Sequence, residues 1–257
     1  MKKLERRLNA LSTKRNRYFD NEKNHTIFTP PAISKWLREI IEPEMGNVKV
    51  VFDPACGSGN LLEPFKDKVT VGCDIEDFGA DIDNFIQEDF LSWKSGDYPM
   101  DLVNMNPPYN HSKESSKKYG RGSLLPELFA DKCFKIFGKD VKMILFTPMG
   151  LRLNTRCYST KQGARYRNIR DNWGPITSIV SLPLDVFPNA DFNPEGIIGY
   201  KGQKGKKVLG GLKKSNIKRK ETQQEILFFN MPKLKPHYCL PDKVIEELRD
   251  MDTEAWG

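Results

Sequence analysis

The chain has 257 residues, 38% hydrophobic and 29% charged, enough apolar material for one full core with a small appendage. No apolar run approaches the ~18–20 residues of a membrane span, and the basic start Met1-Lys2-Lys3 is not followed by an apolar signal region, so the expectation is a cytoplasmic protein with no membrane partner. Its net charge of +7 favours a polyanionic partner, while five scattered cysteines without C-x-x-C spacing and three dispersed histidines suggest neither a disulfide framework nor a metal site.

Residues 1–24 are polar and basic, with Leu4, Leu8 and Leu11 at the spacing of a short amphipathic helix. Phe28-Thr29-Pro30-Pro31 then leads into Ile33, Trp36, Leu37, Ile40 and Ile41, again at helical spacing. Thr29 reads as the N-cap of that helix and the prolines suit its first turn. Phe28 and Thr29 are also candidates to line a ligand pocket at the helix start.

Val48–Phe52 reads as a buried parallel strand running into Asp53-Pro54-Ala55-Cys56-Gly57-Ser58-Gly59-Asn60. A strand, a tight Gly-x-Gly turn and a helix start make the nucleotide-binding opening of a doubly wound sheet: glycines let backbone approach a ligand, and the strand-end carboxylate can take a cationic or hydroxylated group. The next strand, Val69–Cys73, ends in Asp74 and Ile75, and an acid at that tip suits ribose hydroxyls. Asp89 and Phe90 supply another acid beside an aromatic ring. An ordinary turn residue is the alternative reading of either acid.

Asp101–Asn106 reads as a further strand, stopped by Pro107 and Pro108 and followed by Tyr109. The Asn106 side-chain oxygen and the Pro107 carbonyl can each accept one N–H of a planar group's exocyclic amine, with Tyr109 stacked on the ring. A turn in which Asn106 only caps the strand would use the same residues. Beyond it, Lys113, Lys117, Lys118 and Arg121 lie in a polar loop beside this corner, and residues 152–170 carry six further arginines and lysines. Leu124–Phe137 reads as a helix; Val141–Phe146, Ile176–Leu182 and Glu225–Asn230 read as strands, and Pro241–Asp252 as a short helix. Lys201 to Lys220 contains nine lysines and arginines and no acid, Lys206, Lys207, Lys213 and Lys214 among them, which reads as a mobile hairpin or loop suited to a polyanion.

Phe28-Thr29-Pro30, Asp53–Asn60 and Asn106-Pro107-Pro108-Tyr109, in that order, resemble the S-adenosylmethionine-dependent DNA adenine methyltransferases that modify the exocyclic amine, including the modification subunits of type I systems. The resemblance covers roughly residues 25–192 and 225–238. It implies a Rossmann-like class I methyltransferase, a mostly parallel seven-stranded sheet with a late antiparallel hairpin. The methyltransferase domain would span residues 25–240, with an insertion at about 196–224 and a C-terminal helix and tail at 241–257. It implies S-adenosylmethionine bound by Phe28, Thr29, Asp53, Pro54, Ala55, Cys56, Gly57, Gly59, Asp74, Ile75, Asp89, Phe90 and Asn106. It also implies a catalytic set Asn106, Pro107, Pro108 and Tyr109, and Phe187 against a flipped base. DNA is the implied substrate, with a restriction or specificity subunit as partner. A protein-glutamine or RNA-base amino methyltransferase, and a non-catalytic nucleic-acid-binding protein of the same fold, are the alternatives.

Overall fold

The computed structural model of the protein describes residues 28–94, 99–109, 124–148, 151, 169, 171–182 and 224–248. Short runs rich in β-branched and aromatic residues form eight strands: Val50–Asp53 (β1), Val69–Asp74 (β2), Asn84–Gln87 (β3), Leu102–Met105 (β4), Lys142–Pro148 (β5), Ile176–Ser181 (β6), Gln224–Phe229 (β7) and His237–Cys239 (β8). They make one sheet in the order β3-β2-β1-β4-β5-β7-β6-β8. Pairing is parallel except at β7, which runs antiparallel to both β5 and β6.

The sheet is buried on both faces, which is why its central strands read as continuous apolar runs rather than as alternations. Along β5, Met143 and Leu145 join one core and Ile144 and Phe146 the other; Leu227 with Phe229 and Ile226 with Phe228 divide β7 in the same way. The helix Pro31–Ile40 (α1) covers one face through Ala32, Ile33, Trp36 and Leu37. The helix Leu125–Phe137 (α2) covers the other through Phe129, Ala130, Cys133 and Phe134, and ends at Gly138, whose φ of 87° only glycine adopts freely. Phe52, Phe146, Phe228 and Phe229 are fully enclosed, each contributing about 1.5–3 kcal/mol through burial. No described helix is long and apolar enough to cross a membrane.

Three expectations are corrected. Among the described residues the sheet has eight strands, not seven: β8 extends the edge beside β6, and three residues with one half-buried aromatic, Tyr238, carry too little pattern to read as a strand. The connection after the glycine turn contains only the 3-10 turn Glu63–Phe65, because Pro64 lacks the N–H that an α-helix would need there. Thr29 does not cap α1; the N-cap is Pro30, without a side-chain bond, and the Thr29 hydroxyl serves elsewhere.

Candidate active site

β1, β2 and β4 are parallel, so Asp53, Asp74 and Asn106 come out at one sheet edge, and strand order reverses between β1 and β4. That reversal opens the crevice in which doubly wound folds bind ligands. Because β7 runs the other way, its first residue, Gln224, arrives at the same edge opposite Pro148.

The turn after β1 is tied on both sides. Asp53, 1% exposed, accepts the Ala55 N–H at 2.9 Å, and Asp74 accepts the Gly57 N–H at 2.8 Å. Gly57 has φ +51° and Gly59 +83°; a Cβ on Gly57 would lie 2.9 Å from the Phe28 ring, and one on Gly59 3.0 Å from Ala80. Phe28 is packed edge-on against Phe78. Burial pushes the Asp53 carboxyl well above the usual carboxylate range, against the Ala55 N–H, and the nearby Asp74 adds repulsion. Burial also raises Asp74, opposed by the backbone N–H groups of Gly57, Glu76 and Ile75. A cation bound beside these two strand-end acids would favour their ionised forms against the burial that raises them, and next to them Ile75 is 72% exposed, an apolar face in an otherwise polar rim. A cation, hydroxyls and a flat ring match this donor set, so the residues present fit S-adenosylmethionine.

The second half of the site is a chain of hydrogen bonds. The Asn60 amide donates to the Thr29 carbonyl at 2.8 Å, and Ser58 donates to the other end of Asn60 at 3.0 Å. The Asn106 amide donates to the Thr29 hydroxyl at 3.0 Å, which turns its oxygen, Oδ1, away from Thr29. The Tyr109 hydroxyl lies 3.1 Å from that Oδ1 and 3.3 Å from Gln224 Oε1. Burial pushes the Tyr109 phenol far above its ordinary pKa, so it stays a proton donor. One level down β4, the fully buried Asn104 donates to the Leu61 carbonyl at 3.0 Å and leaves its own oxygen without a partner.

The structure thus gathers Phe28, Thr29, Asp53–Gly59, Asp74, Ile75, Asn106 and Tyr109 along one edge. Pro107 is buried and Pro108 exposed. Cys56 offers only backbone: its sulfur packs where a Gly72 Cβ would be, its thiol is held far above its ordinary pKa chiefly by burial, and its N–H donates to Cys73 at 3.0 Å. Phe90 corrects the reading of its ring as a grip on a ligand. It is 2% exposed and lies among Phe52, Trp93 and Phe129 in the core, with the Lys132 ammonium over its face. Asp89 closes its own turn by accepting the Leu91 N–H at 3.0 Å. Lys113, Lys117, Lys118, Arg121, Phe187, Lys206, Lys207, Lys213 and Lys214 lie outside the described residues. Gln224, Asn60 and Asn104 escaped the sequence reading as site residues; polar side chains inside apolar strands, as in Val-Asn-Met and Gln-Glu-Ile-Leu, were the available signal for two of them.

The architecture defines a class I methyltransferase fold. Residues 16–77, from the N-terminal segment through the glycine turn to just past Asp74, match the family model described as N-6 DNA Methylase. Among solved structures, a protein assigned as a class I S-adenosylmethionine-dependent methyltransferase from Listeria monocytogenes is similar over the whole chain (17% identity, TM-score 0.55, 80% of that chain covered). A type I restriction-enzyme modification subunit from Vibrio vulnificus matches 93% of this chain and 55% of its own (14% identity, TM-score 0.56). The modification protein of the type I enzyme EcoKI matches 85% of this chain and 49% of its own (14% identity, TM-score 0.50). The chain therefore spans about half the length of these two modification subunits. No curated protein matches it by sequence.

Proposed function

We propose that the protein transfers a methyl group from S-adenosylmethionine to the exocyclic N6 amine of adenine in DNA. The observation that carries this reading is the fixed orientation of Asn106. Its amide nitrogen donates to Thr29, so its oxygen points the other way, toward the Tyr109 hydroxyl at the end of β4. The family match across the glycine turn and the likeness to type I modification subunits support adenine as the target and a specificity subunit as partner.

When bound, S-adenosylmethionine supplies a methyl group on a sulfonium, which a neutral amine can take in one displacement. Asp53, Asp74, Ile75 and the backbone of residues 54–59 would hold it, with Phe28 as the wall behind Gly57. Asn106 Oδ1 and the Pro107 carbonyl accept the two N–H groups of the target amine, which fixes its orientation and localises its lone pair outward. The proton lost afterwards leaves along hydrogen bonds already made, so no strong base is required. Reaching the amine takes flipping the base, a cost of a few kcal/mol, met by stacking on Tyr109 and phosphate contacts from Lys113, Lys117, Lys118, Arg121 and residues 201–220. In this reading residues 25–240 form the methyltransferase domain, 196–224 an insertion within it, and the protein works in the cytoplasm.

The test is to incubate DNA with the protein and the cofactor, digest it to nucleosides and quantify N6-methyladenine by mass spectrometry. Methyladenine should form with the wild type and disappear with Asn106→Ala at undiminished cofactor affinity. Methyl label found only in protein glutamine or RNA, or normal turnover by Asn106→Ala, would overturn the assignment.

A further inference from the structure

We propose that Gln224 is a positioning residue that takes the Tyr109 hydroxyl off Asn106 when the target amine arrives. The inference rests on the amino-methyltransferase reading above and adds to it a step between base entry and chemistry.

It starts from proton counting. The Tyr109 hydroxyl carries one proton, and two oxygens of described residues lie within its reach, Asn106 Oδ1 at 3.1 Å and Gln224 Oε1 at 3.3 Å. The first is the atom that must accept the substrate amine. An amide oxygen has two lone pairs, so amine and phenol can both donate to it. An acceptor already polarised toward a phenol, however, pulls less on the amine, and the amine's reactivity depends on that pull. A phenol that turns from Asn106 onto Gln224 Oε1 exchanges one hydrogen bond for another and keeps its donor satisfied.

The Gln224 backbone is held in the sheet. The residue is 5% exposed, it opens β7 opposite Pro148, and its carbonyl accepts the Leu182 N–H at 3.1 Å. Tyr109 follows two prolines and reaches the same place from the end of β4. A second acceptor and a hydroxyl that can rotate form a two-position device: on Asn106 the phenol fills the crevice's key acceptor, and on Gln224 it frees that acceptor while its ring stays in place. The Asn106 amide cannot answer by rotating, because Thr29 holds its other end.

The test is a double-mutant cycle read by single-turnover methylation at saturating DNA and cofactor. Gln224→Met keeps the side chain's length and removes the strong acceptor. It should slow the Tyr109 protein about three- to ten-fold, the worth of one ordinary hydrogen bond. In a Tyr109→Phe background, where no phenol competes for Asn106, the same change should cost nothing further. Gln224→Glu, which keeps an acceptor at the same reach, should retain the rate. Cofactor affinity, measured by calorimetry, should stay within about two-fold throughout, since Gln224 does not touch the glycine turn. Additive losses in the cycle, an unchanged rate in Gln224→Met, or a Gln224→Glu protein as slow as Gln224→Met would each overturn the switch while leaving the methyltransferase reading intact. A wild type that forms no methyladenine would instead refute the reading beneath it.

Discussion

The Thr29 hydroxyl holds the Asn106 amide, and replacing it measures how much that orientation is worth. Valine is nearly isosteric with threonine, so Thr29→Val at a site 4% exposed leaves packing intact and removes one atom that matters, the hydroxyl oxygen 3.0 Å from the Asn106 amide nitrogen. The amide then has a buried N–H₂ with no acceptor at that end, a penalty of about 1–3 kcal/mol. It can escape by turning over, but that presents N–H₂ instead of oxygen to the substrate's own amine, donor against donor. Either way the productive orientation loses about 1–3 kcal/mol, and at 1.36 kcal/mol per decade the rate should fall about 5- to 150-fold. Thr29→Ser keeps the oxygen and should recover most of the loss. Single-turnover methylation at saturating cofactor measures it, with cofactor affinity followed alongside because the Thr29 carbonyl also accepts from Asn60. A folded Thr29→Val protein within two-fold of the wild-type rate, or Thr29→Ser as slow as Thr29→Val, would refute the claim that this bond sets the acceptor.

Other consequences are as direct. Asp74→Ala should weaken S-adenosylmethionine binding by about 1–3 kcal/mol, read by calorimetry; unchanged affinity would move the ribose contact to another acid. Burial raises the Asp74 pKa, so acidification should protonate it sooner than an exposed acid, and cofactor affinity should fall as pH drops through that raised value. For folding alone the sign reverses: the raised pKa contributes stability below the unfolded-state value and loses it as pH rises through the folded one, so the ligand-free protein should melt relatively higher in mild acid. Gly57→Ala should cost about 1–2 kcal/mol from its φ of +51° and more from the collision with Phe28, lowering both Tm and cofactor affinity. Replacing Lys204, Lys206, Lys207, Lys213 and Lys214 with Ser should flatten the salt dependence of DNA binding by about 0.9 in slope per lost phosphate contact and leave cofactor affinity unchanged.

Much of the fold was legible because strands buried on both faces are written as unbroken apolar runs: Val50–Phe52, Met143–Phe146 and Ile226–Phe229 needed only the absence of polar residues to be read. β3 and β8 were not, since Asn84–Gln87 and His237–Cys239 have exposed or half-exposed side chains and take their form from a neighbouring strand. In the site, the glycine turn and the Asn-Pro-Pro-Tyr corner were legible because their residue types are constrained by backbone shape and by chemistry. What joined them was not. Thr29 beside prolines looks like a cap; that its hydroxyl serves Asn106, 77 residues away, follows only from the packing of α1 against β1 and β4. Phe90 misled for the opposite reason, since an aromatic residue beside an acid suggests a ligand grip, yet its ring completes the core beneath the edge.

The reversed direction of β7 bears on how this protein can change over time. β7 lies between β5 and β6, and the chain connects β6 to β7 through residues 182–223. Each doubling of such a connection adds only about 0.6 kcal/mol of closure cost, because loop entropy grows with the logarithm of length. New sequence can therefore accumulate between the two strands at little expense to stability, provided the returning strand still fits its slot. The return point is Gln224, in contact with Tyr109. The end of the connection is therefore anchored beside Tyr109, so length gained upstream of Gln224 meets the candidate site at a fixed point.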